Sequence, residues 1–277
     1  MNGKVAKLGG CLLLGLAWAA TVQAADVPVA REGYTLQAQV QGNGSTTVVF
    51  ESGFGQDGGV WQGVVAELGD ACTCIAYARA GIGESGGDGE AKTIEQHVQD
   101  LGGVIDALAP GRKVVLVGHS YGGLLATEFA RLHPGRLQGL VLVDPATMGQ
   151  RHDFRQADAA RVLADDTALL GMLPPAMAAD YRLLVAQLDS ATAMSPRSQP
   201  DVPVALLTST QVAEQPFVLE ETEQGKALWK RQHANLFAAF SRGTHRYFAT
   251  GHNIHREDPK AVADAIRAVA AAAQPGD

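Results

Sequence analysis

Apolar positions along the chain fall into two rhythms. Tyr34 to Val40 alternates apolar with polar residues, the period of a half-buried strand, and Gln41-Gly42-Asn43-Gly44 forms a turn before a second strand, Thr47 to Glu51. Val60 to Leu68 carries helical spacing, Cys74 to Tyr77 a short strand, and Arg79 to Gly89 a long loop. Thr93, with Gln96 three residues on, has the pattern of a capping box and opens a helix that reaches Leu108. The run starting at Val114 predicts a buried strand, the segment from Ser120 to His133 a helix, and Leu140 to Val143 and Val204 to Thr208 two further strands. The last strand lies in "HRYFATG" and the last helix in "DPKAVADAIRAVAAA".

Strands alternating with helices of this length imply crossover units, hence an α/β fold with a mainly parallel central sheet and helices on both faces. The alternation breaks between Pro145 and Pro203, where "ADAARVLADDTALLGML" and "AADYRLLVAQL" are helical, Pro174-Pro175 divides them, and no strand intervenes. Residues 146–202 therefore read as a helical cap or lid inserted above the carboxyl edge of the sheet, with 25–145 and 203–277 forming the core.

Composition narrows the picture. With 277 residues, 46% of them hydrophobic and 18% charged, the chain has globular composition and room for one large domain with an insertion. Residues 1–24 differ from the rest. Lys4 and Lys7 precede an apolar stretch from Leu8 to Ala20, and Val22-Gln23-Ala24 offers the small residues at which a signal peptidase cuts. The expectation is a cleaved signal peptide and an exported protein, periplasmic or secreted. A membrane anchor is the rival reading, but this stretch falls short of the ~20 residues that span a bilayer. Removing the leader takes the net charge from −7 to −9, which disfavours nucleic acid or an anionic membrane as partner. Cys72 and Cys74 then remain, two apart on one face of a strand, where a bridge would strain the extended backbone; buried free thiols are expected.

The candidate chemistry begins at "GHSYGG". Ser120 sits between a strand and a helix, flanked by Gly118 and Gly122, whose missing Cβ atoms let the turn close tightly and present the hydroxyl. A serine hydroxyl needs a base to take its proton. Of eight histidines, His119 packs beneath the turn, His133 ends a helix, and His252 follows the last strand at the edge where Ser120 lies.

With "ESGFG", "YARAGIGESGG", "GHSYGG", "LVLVDPA" and "GHNIHREDP" in place, the sequence resembles the serine α/β-hydrolases (AB hydrolase-1 type) over nearly all of its length beyond residue 24. The resemblance implies Ser120 as nucleophile and His252 as base, with His255 the alternative base. Many relatives carry their acid just after the strand matching Val204 to Thr208, where this chain has Val212; Asp144, ending "GLVLVD", is the expected replacement and Glu214 its alternative. Asp144 could equally open the turn into the insertion. The backbone N–H groups of Tyr121 and Phe54 are the expected oxyanion donors. Ala78 stands where relatives have aspartate, which implies loss of a buried salt bridge common in the family. Trp61, Trp229 and Phe237 fall on helices, as core or as lining of an acyl pocket.

These readings point to a serine hydrolase of carboxylesterase type, cleaving an ester-like or related acyl bond of a small-molecule substrate through an acyl-enzyme, with no cofactor and no metal. C–C bond hydrolases, aminopeptidases and lyases share the fold, and a non-catalytic ligand-binding protein is the answer of a different class. Serine at the nucleophile position argues against epoxide and haloalkane hydrolases, which resemble this fold but use aspartate there.

Overall fold

The computed structural model describes residues 24–191 and 199–273. The expected signal peptide therefore lies, but for Ala24, outside the described residues. Eight strands, β1 (Ala25–Ala30), β2 (Thr35–Gln41), β3 (Thr46–Glu51), β4 (Cys72–Tyr77), β5 (Val114–His119), β6 (Leu137–Val143), β7 (Val204–Ser209) and β8 (Gly243–Phe248), form one sheet in the order β1-β2-β4-β3-β5-β6-β7-β8. From β4 to β8 every pairing is parallel, while β1 and β2 run antiparallel to their neighbours. The helices are α1 (Gln62–Leu68), α2 (Ile94–Leu108), α3 (Tyr121–Leu132), α4 (Gln150–Met172), α5 (Pro175–Ser190), α6 (Glu223–Phe237), α7 (Ile254–Glu257) and α8 (Pro259–Ala272).

The sheet is apolar on both faces because both are covered. Along β5, Val114 and Leu116 face α2 and α3, whereas Val115 and Val117 face α1 and α8. Each such fully buried side chain contributes about 1.5–3 kcal/mol. This two-sided burial is why the central strands read as continuous apolar runs instead of alternating ones. β1 escaped the sequence reading. It is mostly exposed, carries Pro28, and occupies the sheet edge, the position at which a missing N–H is tolerated.

The predicted capping box holds. Thr93 N–H donates to Gln96 Oε1 at 2.9 Å and Gln96 N–H to Thr93 Oγ1 at 3.2 Å. α4 and α5 lie between β6 and β7, and α4 starts earlier than its periodicity suggested, bending at Asp158 (φ −158°, ψ 87°). The Asp158 carboxylate accepts from Arg161 N–H at 2.9 Å, so it caps the segment beyond the bend. A small apolar cluster of Phe154, Val162, Leu219, Leu228 and Trp229 fastens α4 to α6. Cys72 and Cys74 are both free and buried, as their spacing implied, and burial pushes the Cys74 thiol up to about 12.

Candidate active site

Parallel strands end together, and the turns that follow β5, β6 and β8 meet at one rim of the sheet. Ser120, directly after β5, has φ 53° and ψ −122°, a conformation that only a firmly held turn imposes on a side chain other than glycine. The hold comes from close packing. A Cβ on Gly122 would stand 2.3 Å from the carbonyl oxygen of Glu51, and one on Gly118 would stand 2.5 Å from that of Gly122. The Ser120 carbonyl accepts from the Gly123, Leu124 and Ala146 N–H groups, which ties the turn to the segment that follows β6.

Asp144, at the end of β6, is fully buried and also left-handed (φ 46°). Its carboxylate accepts four hydrogen bonds: from Ser209 N–H at 2.7 Å, Ser209 Oγ at 2.7 Å, Trp229 Nε1 at 2.9 Å and His252 Nδ1 at 2.7 Å. Burial raises its pKa, but the His252 hydrogen bond and the nearby positive charges outweigh that and hold it below the usual carboxylate range. An ionised carboxylate only accepts, so Nδ1 of His252 carries the proton and Nε2 offers a lone pair. For His252 burial works against the charged form, while Glu220 first and Asp144 next favour it, and the balance lies above the ordinary imidazole value. Ser120 is half-buried, and its hydroxyl makes no hydrogen bond among the described residues. The contact to Nε2 is thus open, as such contacts often are before a substrate is bound.

The other histidines are placed elsewhere. His255 is buried against Trp61 and His119, neither ring nitrogen has a partner among the described residues, and burial lowers its pKa to about 3. His119 lies under the turn and donates from Nε2 to the His252 carbonyl at 3.0 Å, bracing the loop that carries His252. His133 ends α3. Glu214 is exposed and makes no hydrogen bond to His252 among the described residues.

The loop after β3 carries Phe54, whose N–H, like that of Tyr121, is unused by any hydrogen bond among the described residues. Two side chains shape this loop. Gly53 N–H donates to Gln56 Oε1 at 3.2 Å, and Gln56 Nε2 donates to Asn253 Oδ1 at 3.2 Å, beside His252. Arg79 donates to the Ser52 carbonyl at 2.6 Å and to the Gly53 carbonyl.

Arg79 also corrects an expectation. The absence of an aspartate at position 78 does not remove the buried ion pair, because Glu51 at the end of β3 supplies the acid, 2.6 Å from Arg79, and Tyr77 hydrogen-bonds the same carboxylate. Burial raises the Glu51 pKa, and Arg79 and Tyr77 offset only part of that, so the net direction is up. Trp229 is buried, but as a hydrogen-bond donor to Asp144 it is more than core.

Phe54, Tyr121 and Tyr181 form an aromatic wall beside the two free N–H groups, with ring centroids 6.1 Å apart for Phe54–Tyr121 and 5.7 Å for Phe54–Tyr181. Tyr181 and Met177 reach this wall from α5, Met177 packing against Gly55. A cavity of about 680 Å³ opens between α2, α3 and α5, lined by Ile94, Val98, Leu124, Met148 and Leu236 among others, and by none of Ser120, Asp144 or His252. Asp144, Glu220 and His252 bring three ligand-type atoms within 4.8 Å of one another. Lys226 already occupies the Glu220 oxygen at 2.6 Å and Asp144 is saturated with donors, so the set reads as a hydrogen-bonded charge cluster rather than a metal cradle.

Ser209, Lys226, Glu220, Gln56 and Arg79 were not identified as site residues from sequence. For Glu220 and Lys226 the signal was faint: an acidic pair, Glu220-Glu221, and one lysine three residues before Trp229, on the face that α6 buries.

The sequence profile of the alpha/beta hydrolase family matches residues 48–265, and the chain belongs to that family. Over 109 residues it is 33% identical to the pimeloyl-(acyl-carrier protein) methyl ester esterase of Pectobacterium carotovorum subsp. carotovorum (strain PC1), a stretch covering 39% of this chain and 40% of that protein. The matched stretch is thus less than half of that curated relative. Among solved structures, a membrane phospholipase A described as a bacterial virulence factor superposes with a TM-score of 0.68 at 18% identity, covering 93% of this chain and 88% of the other. The enol-lactonase of Burkholderia xenovorans LB400 gives 0.65 at 19% identity, covering 88% and 99%.

Proposed function

We propose that this protein is an exported serine hydrolase that cleaves an ester-like or related acyl bond in a small-molecule substrate. The observation that carries the reading is the 2.7 Å hydrogen bond between buried Asp144 and His252 on the rim where Ser120 is held at φ 53°. Asp144 fixes the imidazole tautomer, His252 Nε2 takes the Ser120 proton, and Oγ bonds to the carbonyl carbon. The negative charge on the carbonyl oxygen is met by the Phe54 and Tyr121 N–H groups. Collapse of this intermediate breaks the bond to the leaving group, which departs with the proton from His252. Water, deprotonated by the same imidazole, then releases the acid and restores the serine. The wall of Phe54, Tyr181 and Met177 favours an apolar acyl group, and residues 146–202 act as the lid that sets its length.

Covalent labelling by a fluorophosphonate, lost in Ser120→Ala, is the direct test; an unlabelled wild-type protein overturns the proposal. A panel of p-nitrophenyl esters from acetate to palmitate then reports pocket length. Export is tested by the mass of the protein recovered outside the cytoplasm, which should begin at Ala25. No helix among the described residues is long and apolar enough to cross a membrane.

A further inference from the structure

Behind the Asp144–His252 pair lies a second charged pair. Glu220, on the loop between β7 and α6, places Oε1 4.0 Å from His252 Nδ1. Lys226, in the first turns of α6 and only 3% exposed, donates from Nζ to that same oxygen at 2.6 Å and to Ser209 Oγ at 2.9 Å. Ser209 Oγ in turn donates to Asp144 Oδ2 at 2.7 Å, the oxygen that His252 holds. A closed ring results: imidazole, Asp144, Ser209, Lys226, Glu220 and back to the imidazole.

We propose that Glu220 is a second acid of this site, a positioning residue clamped by Lys226 that stabilises protonated His252 together with Asp144. The inference rests on the hydrolase reading for its role in turnover, but not for its physics. With His252 neutral, two carboxylates face one ammonium. Transfer of the Ser120 proton to Nε2 gives the cluster its second positive charge and brings it to neutrality, so the step that creates imidazolium also discharges the cluster. In this half-buried setting a charge at 4 Å weighs more than it does in water. Lys226 restrains the arrangement in two ways: it keeps the Glu220 carboxylate at a fixed distance, and it prevents two bare carboxylates from driving His252 permanently into its charged, non-basic form.

Other groups face His252 without supplying this effect. His119 (ring centroid 4.8 Å away) and His255 are held neutral by burial, as is His233, whose Nδ1 lies 3.9 Å from Asp144. Trp229 is uncharged. Glu257 of α7 is spent on the Gly251 N–H at 3.2 Å.

The test is an NMR titration of histidine-labelled protein, with the His252 signal assigned by its loss in His252→Gln. The His252 midpoint should move down in Glu220→Gln, where one negative charge is removed without change of shape, and up in Lys226→Met, where the clamp's positive charge is removed. Coincident midpoints in wild type and Glu220→Gln overturn the proposal, and Glu220→Gln alone decides should Lys226→Met not fold. The titration needs no turnover, so it separates from the labelling test. A labelled enzyme with an unshifted His252 defeats this inference only, and a shifted His252 in a protein that fluorophosphonate never labels defeats the hydrolase reading only. In an active enzyme the acidic limb of kcat/KM should follow the same two shifts.

Discussion

Asp144 must do three things at once: stay ionised while buried, hold the His252 tautomer, and tie down the end of β7 through Ser209. Asp144→Asn preserves shape but lets the amide turn its NH₂ toward Nδ1, which favours the wrong tautomer. Turnover of a p-nitrophenyl ester should fall by about four orders of magnitude with little change in KM. Near-normal turnover would move the acid elsewhere. Arg79 offers a second test. Arg79→Met leaves Glu51 buried without its partner and should cost about 3–5 kcal/mol in urea unfolding. Because burial raises the Glu51 pKa, a lone carboxyl there is tolerated while protonated and opposed once the unfolded chain prefers it ionised. The penalty should therefore be larger at pH 8 than at pH 5. Ser120 and His252 stood out in the sequence because the chain around them must be unusual: glycines at fixed offsets, and a loop between the last strand and the last helix. Glu51, Glu220 and Lys226 did not, since a charged side chain looks alike in sequence whether it faces solvent or closes a buried ring. Val212, at the position where relatives carry their acid, is 45% exposed, and the nearby loop reaches His252 through Glu220 instead.

At the scale of elements, strand and helix identities followed from period and caps, and α2 shows this at both partners of its capping box. What periodicity did not show was β1, whose edge position demands little apolar alternation, and the bend in α4, which depends on one Asp158 capping bond. The turn after β5 tolerates no added volume. Gly122→Ala would press a methyl against the Glu51 and Ser52 carbonyl oxygens, 2.3 and 2.4 Å away, and should destabilise by about 1–3 kcal/mol, read as a lowered urea midpoint. Between β6 and β7, Arg151 grips Asp166 and Asp189 at 2.9 Å each and so bolts α4 to α5. Arg151→Met should speed limited chymotryptic cleavage within residues 173–191 while leaving the core resistant. Unchanged cleavage would show that the clamp does not hold the two helices.

For the molecule as a whole, several histidines are buried in neutral form. His97 and His255 are lowered to about 3, and His119 well below its ordinary value, by burial first and neighbouring positive charge next. Their folded-state pKa values lie under the unfolded one, so between about pH 6.5 and 3 the unfolded chain binds protons that the native state refuses, and stability declines as pH falls. The slope should be about 1.4 kcal/mol per pH unit for each such histidine, seen as a urea midpoint that drops from pH 7 to pH 5. A flat profile would mean that these rings gain partners the structure does not give them.

His252, the proposed base, follows β8, which among the described residues is bonded along one side only and exposed over most of its length. An outermost ribbon of this kind frays at a lower free-energy cost than the strands inside it. Warming should therefore silence the molecule before it melts, with hydrolysis fading while the calorimetric transition is still degrees away.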